Sequence, residues 1–185
     1  MANSELELYR QQFEQIQQHA RELTAGLDET RFNWQPSAEA WSIEECLSHL
    51  TMVGQWEVLA IERAIDQGKE RGLTGQGPFE YGAIDRYILH QTEPPVRNPR
   101  PASAHFIPLH GQPVTGIMPT FLHVQDQLLV QLGRAEGLDL RRVKVVTPIS
   151  RFLRMSLGMM FAQIAAHERR HLEQAQRVRE KLAEL

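Results

Sequence analysis

The sequence predicts an all-α protein, a four-helix bundle with one long irregular connection between its second and third helices. Apolar residues recur at steps of three and four over long segments, the period of a helix with one buried face. Between the second and third segments this period is lost, and prolines and glycines accumulate. A chain of 185 residues with 42% hydrophobic and 23% charged residues can bury such a core. We expect residues 1–185 to form one domain.

The first predicted helix carries its apolar stripe without a slip. Ser4 to Glu7 has the S-x-x-E spacing of a capping box at a helix start. A loop follows around Pro36, which disfavours helix at the residue before it. The apolar stripe consists of Leu6, Tyr9, Phe13, Ile16, Ala20, Leu23 and Leu27.

The second predicted helix begins at another capping box, Ser42 to Glu45. His49 lies on its inward face, beside Cys46 and Val53. A histidine therefore occupies a predicted core position. The apolar stripe consists of Cys46, Leu50, Val53, Trp56, Ala60 and Ala64.

The connection over residues 68–116 contains seven of the ten prolines. Residues 79–91 are expected to form a short helix that Pro94 and Pro95 end. A connection of this length is uncommon in a compact domain unless it covers another part of the protein. It is either a plain crossover between distant ends of the bundle or a lid or pocket wall over a functional site, and the sequence leaves both open.

The third predicted helix begins near Pro119 and closes at Gly133 and Gly137. Thr147 and Pro148 then offer an N-cap followed by proline at the first helical position. The fourth helix is therefore expected to start there. The stripe of the third helix consists of Phe121, Val124, Leu128 and Leu132.

The fourth predicted helix, Ile149 to Leu182, includes two histidines on its apolar stripe. His167 and His171 lie at i and i+4, one above the other on a single face. An imidazole costs free energy to bury without partners, so two in one core stripe need an explanation. The stripe consists of Leu153, Leu157, Met160, Ile164, His167, His171, Gln174, Val178 and Leu182.

Together with His49, these two histidines predict a metal site. Three neutral imidazoles suit one divalent transition metal ion, Zn, Ni or Fe, and leave coordination positions open. Cys46 is a further candidate ligand, but a buried helical cysteine more often packs. The other histidines are expected at the surface: His19, His90, His105, His110 and His123.

Two polar residues lie one turn before predicted ligands. Glu45 precedes His49, and Gln163 precedes His167. Such residues either hydrogen-bond the ligand imidazoles or are ordinary polar neighbours of the stripe. The sequence leaves both readings open.

The segment from His167 to His171 also matches H-E-x-x-H, in which Glu168 would be the general base of a metalloprotease. No histidine follows His171 in the remaining 14 residues, and no strand pattern precedes the motif. A protease is therefore not favoured. Glu168 stays a candidate base for a hydrolase, although its position is rotated about 100° from the stripe.

Composition excludes several classes of function. A formal net charge of −3 gives no sign of binding to nucleic acid or a membrane surface, which would need a basic face. One cysteine excludes an internal disulfide and fits a reducing compartment. The apolar run at residues 155–166 is too short and too interrupted to span a bilayer. With no secretory signal at the polar, acidic N-terminus, we expect a cytoplasmic protein.

Two segments resemble the DinB-like family of small metal-binding four-helix bundles. Trp41-Ser42-Ile43 through His49-Leu50 resembles the family's W-S-x-x-E-x-x-x-H-L segment. His167-x-x-x-His171-Leu172-x-Gln174 resembles its C-terminal H-x-x-x-H-L-x-Q. The resemblance implies that His49, His167 and His171 form the metal triad of a bundle with an unusual helix order.

The resemblance also implies a metal-dependent transferase that activates a low-molecular-weight thiol, such as bacillithiol or mycothiol, for transfer to an electrophilic small molecule. Similar domains occur in mycothiol-dependent isomerases and in sulfoxide synthases of ergothioneine biosynthesis. A hydrolase using a metal-activated water and a non-enzymatic, metal-stabilised binding module stay open as alternatives. The expected partner is a small thiol or electrophile, with a homodimer left open. Trp41, Trp56 and the proline-rich connection are candidates to wall an apolar substrate pocket.

Overall fold

Four long helices dominate the part of the chain that the computed structural model describes, residues 4–95, 102–147 and 150–184. The structure is mostly helical, as predicted, with one small sheet. Within those residues, no helix is both long and apolar enough to cross a bilayer. The helices are α1 (Ser4–Thr24), α2 (Glu29–Phe32), α3 (Ile43–Glu70), α4 (Ala83–Thr92), a 3₁₀ helix (Ala104–Phe106), α5 (Val114–Arg134) and α6 (Leu157–Leu182).

The long helices bury their apolar stripes against one another. α3 packs on α5 and α6, and α1 packs on the same two helices. Gly54 allows a close approach of α3 to α5, because a Cβ there would lie 2.6 Å from Cγ1 of Val124. The interior between the helices includes the fully buried rings of Phe13, Phe121 and Phe161.

The predicted stripe of α1 is buried from Leu6 to Leu23. The helix already includes Ser4, so the predicted capping box there does not mark its N-cap. In α3 the capping box is confirmed, since Glu45 N donates to Ser42 Oγ and Ser42 N donates to the Glu45 carboxylate. That box fixes where α3 begins and hence which face His49 presents.

The prediction that helix four begins after Thr147 is wrong. Strand β1 (Lys144–Thr147) and strand β2 (Ser150–Ser156) form an antiparallel hairpin, and α6 begins only at Leu157. β-branched residues in Val145-Val146-Thr147 favour a strand. Leu153, which the predicted stripe placed in the core, is 42% exposed on β2. Pro148 and Ile149 lie outside the described residues.

The third predicted helix starts earlier than expected. α5 begins at Val114, with Pro113 as its N-cap, and Pro119 lies inside the helix. The first turn closes because Gly116 N and Ile117 N both donate to the Pro113 carbonyl. Proline within a helix removes one intrahelical donor, a cost that this turn and the packing of α5 offset.

The connection between α3 and α5 is only partly irregular. The expected short helix is present as α4. Further on, the 3₁₀ helix Ala104–Phe106 contacts α3 near its beginning. This second part of the connection therefore covers the end of α3 that carries His49, as a pocket wall would.

Candidate metal centre

Two helices present the three predicted ligands to one another. His49 lies in the second turn of α3, and His167 and His171 lie one turn apart on α6. α3 packs directly against α6. His49 is only 4% exposed, whereas the histidines of α6 are half-buried. The predicted core face is thus the inner wall of a site that opens on one side.

The ring nitrogens of the three histidines converge. His167 Nε2 lies 3.4 Å from His49 Nε2 and 3.1 Å from His171 Nε2. One ligand atom from each ring lies within 4.8 Å of the others. Among the described residues, no other group of three or more His, Cys, Asp or Glu side chains comes together in this way. The cluster could hold a metal ion.

Two hydrogen bonds fix the tautomers that this site needs. His49 Nδ1 lies 2.7 Å from the Phe106 carbonyl oxygen, which can only accept, so Nδ1 carries the proton. His171 Nδ1 lies 3.1 Å from Gln174 Oε1 and donates to it. Both rings therefore turn a bare Nε2 toward His167. Two bare Nε2 atoms directed at the Nε2 of His167 fit a shared cation of the Zn, Ni or Fe type.

All three imidazoles are held neutral, the form that binds metal. Burial lowers the pKa of His49, and the Phe106 carbonyl only partly opposes this. Burial lowers the pKa of His167 well below its usual value, and repulsion between its protonated ring and His171, His49 and Arg170 lowers it further. For His171, burial and then His49 and Arg170 lower the pKa to about 3.

Trp41 forms an aromatic wall of the site. Its ring is stacked on His171 at 25°, with centroids 5.6 Å apart, and its centroid is 5.0 Å from that of His49. Trp41 thus borders the two rings whose orientation the hydrogen bonds fix. Trp56, the other expected wall residue, instead lines a groove between α3 and β1.

The expected helpers of the ligands lie elsewhere. Glu45 Oε2 accepts from Ser42 N and Gln35 Nε2, both at 2.8 Å, and lies 3.6 Å from His110 Nδ1. Gln163 Nε2 donates to Thr92 Oγ1 at 2.6 Å. The groups that orient ligand rings are instead Gln174 and the backbone carbonyl of Phe106. The position of Gln174, three residues after His171 on the same helix, could have indicated its role from the sequence. Nothing in the sequence indicates the role of the Phe106 carbonyl.

Two other candidates are not part of the cluster. Cys46 is fully buried in the apolar core, and burial raises the pKa of its thiol. Glu168 is 2% exposed and accepts a hydrogen bond from Gln125 of α5. Burial raises the pKa of Glu168 to about 8, although Gln125 and Arg169 act in the opposite direction.

The remaining histidines lie at the surface, as expected. His19 is half-buried, and the others are exposed: His90, His105, His110 and His123. The statement that no strand precedes the H-E-x-x-H segment was wrong, because β2 runs directly into α6. The residues after His171 do continue in the same helix, so they supply no ligand from a later element.

Comparisons with known proteins show the family of the chain. A family model described as the DinB superfamily matches residues 12–175, a span that includes all three histidines. From Bacillus subtilis (strain 168), "Uncharacterized protein YuaE" is 28% identical over 164 residues, covering 85% of this chain and 88% of the relative. The resemblance predicted from the two histidine segments is confirmed.

Proposed function

Because this chain belongs to the DinB superfamily, we propose that it is a metal-dependent enzyme on a four-helix bundle. In this proposal His49, His167 and His171 bind one divalent transition metal ion. The observation that carries it is the convergence of one ring nitrogen from each of the three histidines within 4.8 Å. Two of these rings direct a bare Nε2 at His167, the arrangement that a shared cation would use.

The reaction we propose is transfer of a low-molecular-weight thiol to an electrophilic small molecule. A divalent ion at this site would lower the pKa of a coordinated thiol and so supply thiolate near neutral pH. The Phe106 carbonyl and Gln174 hold two ligand rings in place, and Trp41 offers an apolar surface beside them. This assignment draws its support mainly from the family resemblance of the two histidine segments.

The hydrolase alternative has less support. It needs a base near the ligands that is ionised at neutral pH. Glu168 is committed to Gln125 in the interior, and burial raises its pKa to about 8. A carboxyl group enclosed in the interior and engaged by Gln125 is poorly placed to take a proton from an attacking water.

Metal binding is tested on protein purified without a histidine tag. Elemental analysis and competition with a chromophoric chelator should give about one divalent ion per chain for a three-imidazole site. His49→Ala and His167→Ala should each abolish binding, while His123→Ala, at an exposed histidine of α5, should not. Full binding by both triad variants would overturn the assignment.

The reaction is tested with a panel of small thiols and monochlorobimane or chlorodinitrobenzene. Conjugation should occur with wild type, fail with His171→Ala and persist with Glu168→Gln. Hydrolysis of activated esters that disappears in Glu168→Gln would support the hydrolase. A cobalt-substituted protein whose spectrum responds neither to thiols nor to azide would favour the non-enzymatic module.

A further inference from the structure

A second concave site lies outside the histidine cluster, between α3 and β1. The groove has a volume of about 320 Å³, within the usual range for small organic molecules. Its apolar surface comes from Trp56, Leu59 and Ala60 of α3 and Val146 of β1. Trp56 is half-buried and Leu59 is 52% exposed, so both leave apolar surface uncovered.

The charged residues of this groove are all cationic. Arg63 and Lys144 line it and are exposed. The groove is thus positive although the whole chain carries a formal net charge of −3.

Two acidic residues of α3 form ion pairs with α5. Arg134 of α5 binds Glu62 Oε1 at 2.7 Å and Asp66 Oδ1 at 2.6 Å. Both acids belong to α3 and are held by Arg134. The charged residues that line the groove are Arg63 and Lys144.

From this charge complementarity we infer that the groove binds a small organic anion with a flat apolar body, of the aromatic carboxylate or sulfonate class. The flat body stacks on Trp56 and packs against Leu59 and Val146. The anionic group binds between Arg63 and Lys144, where guanidinium and ammonium donors meet it. This site is separate from the histidine cluster and does not depend on a bound metal.

The test uses two dyes that differ in one charge, 8-anilino-1-naphthalenesulfonate and the neutral N-phenyl-1-naphthylamine. Fluorescence titration should show that the double variant Arg63→Gln, Lys144→Gln binds the sulfonate at least tenfold more weakly, with less than twofold change for the neutral dye. Raising the salt concentration should weaken sulfonate binding to wild type. Circular dichroism and melting temperature establish that these surface variants are folded.

Two matched variants locate the dye. His167→Ala should bind the sulfonate as wild type does, because the histidine cluster is a different site. Ile84→Ser, which alters an apolar groove between α4 and β2, should also leave binding unchanged. Equal sulfonate affinity in the double variant, loss of binding in either matched variant, or displacement of the dye by a short acidic peptide would each overturn the inference.

Discussion

At the scale of single residues, Gln174 is the side chain that orients a proposed ligand. Its Oε1 accepts from His171 Nδ1, and loss of such an orienting partner typically weakens metal binding about 10- to 100-fold. Gln174→Leu should reduce affinity by this factor in a chelator competition. The matched variant Gln163→Leu loses a bond to Thr92 instead and should bind as wild type. Equal affinities for all three proteins would remove Gln174 from this role.

Glu44 makes the free energy of unfolding depend on pH. It is fully buried at the start of α3. Burial, together with the charge of Glu45, raises its pKa to about 7, against the backbone N–H groups of Gly111 and Gln112. The folded state therefore holds this proton more tightly than the unfolded chain does. Its contribution to stability is complete below about pH 4.5 and is lost as the pH rises through about 7.

Replacing this carboxyl group should remove that pH dependence. Between pH 5 and 8 the free energy of unfolding of Glu44→Gln should fall less than that of wild type. The variant should be more stable at pH 8 by about 1–3 kcal/mol. Urea unfolding at several pH values measures this, with the exposed Glu39→Gln as the control for loss of one charge. Parallel pH curves for wild type and Glu44→Gln would contradict the prediction.

At the scale of elements, the contact between α3 and α5 depends on the absence of a side chain at Gly54. A Cβ there would meet Cγ1 of Val124 at 2.6 Å, and a β-branched side chain in a helix has little freedom to turn away. Gly54→Ala should destabilise the protein by about 1–3 kcal/mol in denaturant unfolding. A Cβ at Gly133 of α5 would have no atom within 4 Å. Gly133→Ala is the matched variant, and it should raise the free energy of unfolding by up to about 1 kcal/mol because alanine favours a helix over glycine.

The helices that the sequence predicts correctly are those whose signals come from residues close together in the chain. The stripe of α1 and the capping box of α3 involve residues a few positions apart, and the same is true of the i, i+4 histidines of α6. The hairpin was not predicted because Thr147 and Pro148 have the residue types of a helix start. Leu153 also precedes Leu157 by four residues, a spacing that fits a helical stripe. What decided against the helix was pairing between strands, such as Val145 with Met155, which local periodicity does not reveal.

The same distinction applies to the candidate site. His49, His167 and His171 were identifiable because imidazoles in core stripes are unusual, and the structure brings them together. The Phe106 carbonyl was not identifiable, because any residue has one and only the path of the connection places it on His49. The role of Glu45 stayed open in the sequence, because a carboxylate one turn before His49 can either orient that ring or close the capping box, as it does here.

At the scale of the whole molecule, the proposed metal would clamp α3 to α6. An ion that binds only the folded state adds about 2.7 kcal/mol at a concentration one hundredfold above its Kd. The melting temperature should rise with added zinc or nickel and fall with a chelator. His49→Ala should show no such shift, since it keeps the fold and loses the link between the helices. A shift of equal size in that variant would place the stabilising ion elsewhere.

The histidine cluster joins positions 118 residues apart in the chain, and protein synthesis proceeds from one end. At about 5–20 residues per second, His49 is made about 6–24 s before His167. During that interval a nascent chain offers an incoming ion one ligand of the three, which is too few for tight binding. An ion bound as proposed would therefore be acquired after α6 has been made and has docked. Which metal such a site receives would then depend on the geometry of the finished fold and on the metals the cell supplies at that moment.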